Sequence, residues 1–327
     1  MKIKFLVIRL SSIGDIVLTS PVVRGLKQQV EKAEIHFLTK KKHAGLVANN
    51  PYIDAVHLFQ DNINDLIRKL EEEDFDYIID LHQNIRSNRI KRSLKSPSFA
   101  FRKLNWEKWM LVNLKISRLP DQHIVERYLQ SVSAFDVKDD GQGLDYFIPD
   151  TEAFKPEDLP EIFRSGYLAF VIAGTYSTKK LPAEKVSEIC QRISHPVILL
   201  GGKEEREAGE KILSESKGNV LNYAGKISLN QSASLVRNAN LVLTNDTGLM
   251  HIAAAYKKKI LSFWGNTVPE FGMTPFRADP SSVQFEVDGL KCRPCSKLGY
   301  RKCPKKHFRC MNDIDLNKVE EWINTNF

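Results

Sequence analysis

One local pattern, repeated along the chain, most constrains how it can fold. A short β-branched run ends in small polar residues and passes directly into a helical pattern. Residues 4–10 end at Ser11-Ser12-Ile13-Gly14-Asp15, and Val17, Leu18, Val22, Val23 and Leu26 then follow helical spacing. Further strand-like runs fall at 34–38, 55–59, 75–81, 167–173, 196–200, 219–223, 240–244 and 260–264. Helical patterns fall at 43–50, 63–73 and 122–135, from Pro182, after Gly201-Gly202, up to Asn238 and at 250–255. Strand leading at once to helix, many times over, builds parallel sheets with crossover helices, the α/β class. The turns carry neither the G-x-G-x-x-G spacing nor a Gly-Lys-Ser/Thr, so they are not dinucleotide or P-loop fingerprints.

At 327 residues the chain is long enough for two domains. Residues 138–160 are rich in Asp, Gly and Pro and lack periodicity, as a linker would be. The expected division is a first α/β domain over 1–150 and a second over 151–312. A terminal amphipathic helix over 313–327 is expected to pack back on the first domain. The 42% hydrophobic and 27% charged content is that of a soluble globular protein. No run approaches the ~18–20 apolar residues that span a bilayer. The apolar stretch at the amino terminus is short and broken by Arg9, so the expectation is a cytoplasmic protein.

Ligands of open α/β sheets bind at the carboxyl ends of the strands, so the polar turns are the candidate sites. Asp15 stands in the first such turn, as a general base or as a cap of the helix that follows. The strand at 75–81 ends in Asp80, His82, Gln83, Asn84 and Arg86. In the second half, Lys179 and Lys180 lie just before a helix that starts near Pro182. A cation there is opposed by the helix dipole unless it serves an anion. Glu205 follows Gly201-Gly202 and suits either ribose hydroxyls or the positive start of a helix. The stretch Asn245-Asp246-Thr247-Gly248-Leu249-Met250-His251 runs from a strand into a helix. It reads as a seat for a diphosphate or as an ordinary capped helix with a half-buried histidine. Asp246 or Thr247 can cap, Gly248 allows close backbone approach, and His251 shares a face with Thr247.

Net charge is +8 and unevenly placed: residues 86–127 hold eleven Lys or Arg against three acidic side chains, and 291–309 hold eight against none. Such clusters attract nucleic acid, anionic lipid or phosphorylated substrates, or form a solvated face. Trp106 and Trp109 lie inside the first cluster, as core or as an interfacial, sugar-contacting surface. Four of the five cysteines are Cys292, Cys295, Cys303 and Cys310. Their spacing admits a structural zinc, reduced thiols or disulfides. Cys190 falls in a helical pattern and reads as core.

Taken together, these turns resemble glycosyltransferase family 9, the ADP-heptose:lipopolysaccharide heptosyltransferases, over nearly the whole chain. Ser11–Asp15 followed by Thr19-Ser20-Pro21 is similar to that family's amino-terminal motif, and Asp246–His251 to its donor-binding motif. Thr175 with Lys179-Lys180-Leu181-Pro182 resembles its phosphate-contacting loop, and Glu205 its ribose-binding position. The resemblance implies a GT-B fold, two Rossmann-like domains with parallel sheets facing across a cleft. It implies an inverting transfer of heptose from ADP-heptose to a lipid A-linked inner-core acceptor, with Asp15 as base and no cofactor needed for catalysis. Lys179, with Thr175, Thr247, Gly248 and the helix start, would hold the diphosphate, and His251 would contact phosphate or hold the loop. Glu205 would take the ribose, Ile227 would pack on the adenine, and Asp246 belongs to the same donor set. Ser12, Gly14, His82 and Arg86 are the expected acceptor contacts. The resemblance also implies a monomer working at the inner face of the inner membrane, without nucleic acid. The alternatives are a GT-B transferase of another nucleotide-sugar, an epimerase-like hydrolase, or a basic zinc-stabilised nucleic-acid-binding protein.

Overall fold

The computed structural model describes residues 2–327. Its first strand, β1 (Ile3–Ile8), is fully buried from Phe5 to Ile8. That continuous apolar burial belongs to a central parallel strand covered on both faces. After it come α1 (Ile13–Val17), α2 (Ser20–Gln29), β2 (Ala33–Lys40), β3 (Ala55–Phe59) and α3 (Ile63–Glu71). Then follow β4 (Tyr77–Asp80), α4 (Ile85–Leu94), β5 (Ser98–Ala100), α5 (Asn105–Leu114) and α6 (Ile124–Gln130). The five strands form one parallel sheet in the order β3-β2-β1-β4-β5.

The chain divides into two compact units: Met1–Lys103 with Gln122–Phe147, and Leu104–Asp121 with Ile148–Phe327. The sequence places residues 104–121 in the first half, whereas the contacts group them with the second unit. The reason is local. The Lys115 ammonium donates to the carbonyl oxygens of Cys292 (3.3 Å) and Pro294 (2.7 Å), and the Lys108 ammonium lies 5.4 Å from the Phe271 ring centroid.

The second unit continues with α7 (Glu161–Arg164), β6 (Leu168–Val171), α8 (Ala183–Arg192), β7 (Val197–Leu200) and α9 (Arg206–Glu215). It goes on through β8 (Val220–Asn222), α10 (Leu229–Asn238), β9 (Leu241–Asn245), α11 (Gly248–Ala255) and β10 (Lys259–Trp264). It ends with β11 (Val283–Glu286), α12 (Arg309–Asn312) and α13 (Leu316–Asn326). Its sheet is parallel in the order β11-β10-β9-β6-β7-β8. Two parallel sheets with crossover helices are the architecture of the GT-B fold.

The last helix packs on α8 of its own unit, correcting the expectation that it returns to the first. Val319 and Ile323 are fully buried in the second unit's core, and Arg192 donates to Asn317 Oδ1 at 2.7 Å. The helical pattern at 43–50 is a 3₁₀ turn over Lys41–Leu46, and that at 122–135 is interrupted after Gln130. Trp106 and Trp109 stack with centroids 5.0 Å apart and stand 66% and 43% exposed, so neither is a core residue.

Candidate active site

Each sheet has one place where its strand order reverses, and a ligand crevice forms there at the carboxyl ends. In the first sheet that place is between β1 and β4, and in the second between β6 and β9. The turns carrying Asp15, Asp80–Arg86, Thr175–Lys180 and Asp246–His251 follow these four strands, whereas Glu205 follows β7 and Ile227 follows β8. Each unit therefore carries its own candidate half-site.

In the first unit, Asp15 lies in the first turn of α1. Its carboxylate accepts from the Ser12 hydroxyl (2.7 Å) and the Ser12 N–H (3.1 Å) and pairs with the Arg9 guanidinium at 2.6 Å. The side chain keeps 22% of its surface exposed, so it caps its own helix and still faces outward. Burial pushes its pKa up, but the Arg9 charge and the Ser12 hydrogen bonds outweigh burial, and the carboxyl sits below its ordinary value. Arg9 is itself held, its Nε donating to the Ser11 carbonyl at 2.9 Å and its Nη1 to the Leu81 carbonyl. The half-site thus presents a pre-oriented, ionised carboxylate.

Beside it, the turn after β4 is built on buried Asp80. Asp80 Oδ1 accepts from the N–H groups of His82 (3.0 Å) and Gln83 (2.8 Å), and Oδ2 from the Ser87 hydroxyl (2.9 Å) and the Lys91 ammonium (2.9 Å). Asp80 therefore shapes the loop rather than serving a substrate. His82 is half-buried and, through burial and then the Arg9 charge, its pKa falls from 6.5 to about 4, which keeps it neutral. Ser12 and Arg86 are exposed and Gly14 is buried, so Gly14 supplies backbone only. The Arg86 guanidinium lies 5.8 Å from the Phe59 ring centroid.

In the second unit, Asn245 joins two loops. Its side-chain amide donates to the Ala173 carbonyl at 3.0 Å, and its oxygen accepts from the Leu181 N–H at 2.9 Å. The loop carrying Thr175 and Lys179 is thereby fixed beside the start of α11. The Lys179 ammonium meets Asp246 Oδ2 at 2.5 Å, and the Thr267 hydroxyl donates to the same oxygen at 3.1 Å. Thr247 is the N-cap of α11, yet its side chain makes no capping hydrogen bond. The first-turn N–H groups have no partner within the helix, a geometry that suits an anion. Thr175 is exposed and Ile227 half-buried, while His251 is only 2% exposed and belongs to the packing of the loop.

Glu205 is 6% exposed and accepts from the Lys180 ammonium and from the Gly202 N–H (2.9 Å). Glu205 thus complements the start of its helix, one of the two roles that its spacing offered. A cavity of about 420 Å³ lies against this pair, lined by apolar residues including Ile172, Leu181, Val186, Ile212 and Phe308. Asp246, Thr247 and Ile227 do not line it, so the anion seat is a separate feature.

The partners that spacing did not reveal are Arg9 for Asp15, Thr267 for Asp246, Lys180 for Glu205, and Asn245 as a clamp. Arg293 is a further one: its guanidinium donates to the carbonyls of Trp264 (3.1 Å), Gly265 (2.5 Å) and Thr267 (3.0 Å), and pairs with Glu286 at 2.8 Å. None of these pairs has a local signal, and an arginine amid other basic residues does not stand out.

The five cysteines are free thiols. Among the described residues, no three ligand atoms of the Cys-rich segment lie within 4.8 Å of one another. Cys295 donates to the Cys292 carbonyl at 3.1 Å, and Cys292 Sγ lies 3.9 Å from His307 Nε2. Burial pushes the thiols of Cys295 and Cys310 up to about 11 and about 12, which keeps both protonated.

Against known proteins, residues 63–306 match the family model of glycosyltransferase family 9 (heptosyltransferase). Lipopolysaccharide heptosyltransferase 1 of Campylobacter coli is 24% identical, covering 81% of this chain and 84% of that protein. Among solved structures, an E. coli ADP-heptose LPS heptosyltransferase II superposes with a TM-score of 0.74 at 21% identity, covering 99% of this chain and 98% of that one. An E. coli heptosyltransferase solved with ADP superposes with a TM-score of 0.68 at 19% identity, covering 99% and 100%.

Proposed function

Because this chain belongs to glycosyltransferase family 9, we propose that it transfers heptose from ADP-heptose to a hydroxyl of a lipopolysaccharide inner-core acceptor, inverting the anomeric carbon. The observation that carries this reading is the second half-site. It combines an uncapped helix start, a lysine held by Asp246, and a position at the strand-order reversal. The similar E. coli enzymes, one an ADP-heptose heptosyltransferase and one solved with ADP, support an adenine nucleotide as the donor's carrier.

In the reaction, the N–H groups at the start of α11 and the Lys179 ammonium receive the β-phosphate of the donor. As the glycosidic bond to ADP breaks, negative charge grows on the leaving diphosphate, and these donors stabilise it more than they stabilise the ground state. Asp246 is an anion beside an anion site, so its part is to orient Lys179. Asp15 takes the proton from the acceptor hydroxyl as that oxygen attacks the anomeric carbon opposite the leaving group. Its lowered pKa keeps it unprotonated at working pH. The family match begins at residue 63, so the role of Asp15 rests on its geometry and on the amino-terminal motif.

The acceptor is anionic and lipid-linked, and the basic stretch 86–127 with exposed Trp106 and Trp109 supports work at a membrane surface. No helix among the described residues is long and apolar enough to cross a membrane. The test is a donor panel with purified protein and a lipid A–core acceptor, reading product anomeric configuration by NMR. ADP-heptose should be used, with inversion; transfer from UDP- or GDP-sugars instead moves the chain to another donor. A structural metal at the four cysteines remains a proposal that metal analysis of the purified protein decides.

A further inference from the structure

Apart from both half-sites, the first unit holds a compact group of ligating side chains. β2 and β3 pair in parallel with Leu38 opposite His57, which sets Glu34, His36 and His57 on one face of the sheet. His36 is 3% exposed. Its Nδ1 lies 2.9 Å from His57 Nε2 and 3.9 Å from Glu73 Oε2, just beyond the end of α3. All three ligand atoms fall within 4.8 Å of one another. The Phe75 ring packs edge-on against both imidazoles, with centroids 5.1 Å and 6.0 Å away.

We propose that His36, His57 and Glu73 form a binding site for a divalent transition metal, zinc by ligand type, that ties the end of α3 to β2 and β3. Ligands about 2.1 Å from a tetrahedral zinc stand ~3.4 Å from one another. The separations of 2.9 and 3.9 Å from His36 bracket that value, and the third, between His57 and Glu73, is within 4.8 Å, so side-chain adjustment of about an ångström gathers the set. Two histidines and one carboxylate are a zinc donor set with one position open to water. The outer contact is also in place. His36 Nε2 meets Glu34 Oε1 at 3.1 Å, which puts the proton on Nε2 and aims the Nδ1 lone pair at the site. Without metal, His57 Nε2–H donates to that lone pair. Glu73 Oε2 also stands 3.5 Å from the Lys4 ammonium, so binding requires that His57 move its proton to Nδ1 and that the metal take the place of Lys4 at this oxygen. The group lies on a face of the sheet, not at the carboxyl edge where Asp15 stands, so its role is to stabilise the unit rather than to take part in transfer.

The test is cobalt(II) titration of the full chain after chelator treatment, with zinc competition. One equivalent should bind with visible d–d bands and without sulfur-to-cobalt charge transfer. That signal should vanish in His57→Ala and weaken tenfold or more in Glu73→Gln, with circular dichroism of both variants unchanged. Binding that shows only sulfur charge transfer and persists in both variants belongs to the cysteine segment and overturns the proposal. So does wild-type protein that gives no nitrogen- and oxygen-ligated cobalt spectrum. Because Glu73→Gln keeps the side chain's shape, it decides the matter even if His57→Ala unfolds.

Discussion

At the scale of single residues, Asp15 and His82 fix how the first half-site responds to acid. Asp15 has its pKa lowered in the folded state, so its contribution to stability is complete above the ordinary carboxyl range and is lost as pH falls through the lowered value. His82 titrates at about 4 when folded and at 6.5 when exposed, so between those values the unfolded chain binds the extra proton. Stability therefore falls as pH drops from about 6.5 towards 4. His57 is also lowered and His43 is lowered to about 4, so both add to the slope with the same sign. Urea midpoints between pH 7 and 4.5 should fall less steeply in His82→Gln than in the parent, and an identical slope contradicts the assignment. In the second unit the two neighbouring lysines separate cleanly. In the proposed reaction Lys179 holds the phosphate, so Lys179→Ala should weaken ADP binding by ~10- to 100-fold by calorimetry. Lys180→Ala should leave ADP affinity nearly unchanged, because Lys180 serves Glu205.

At the scale of elements, close backbone approach decides outcomes that propensity would get wrong. Gly209 lies inside α9, where alanine ordinarily gains about 1 kcal/mol. Here an added Cβ would stand 2.5 Å from Asn222 Oδ1, and Asn222 is buried and holds the Ala224 N–H at 3.0 Å. Gly209→Ala should therefore lower the melting temperature, at a cost of ~1–3 kcal/mol; a rise would contradict the packing of α9 on β8. The same scale shows what the sequence could tell. The buried strands and the turns after β1, β6 and β9 were legible, because apolar runs and small polar residues are local signals. β5 has three residues and β11 four, too short for periodicity to register. α4 is so rich in charge that it read only as a basic stretch. The pairs Arg9–Asp15 and Lys180–Glu205 depend on how the loops fold, and no spacing announces them.

At the scale of the whole molecule, the proposed reaction assigns the nucleotide to the second unit and the base to the first. A ligand held by the second unit raises apparent stability by about 2.7 kcal/mol at a concentration of 100 Kd. That gain should appear with ADP in the parent and in Asp15→Asn, and shrink in Lys179→Ala. The central claim is the base, and single-turnover transfer from ADP-heptose by Asp15→Asn tests it most directly. The rate should fall ~10²- to 10⁴-fold below the parent's, with ADP affinity and fold retained. Transfer near the parent's rate in that variant would contradict it.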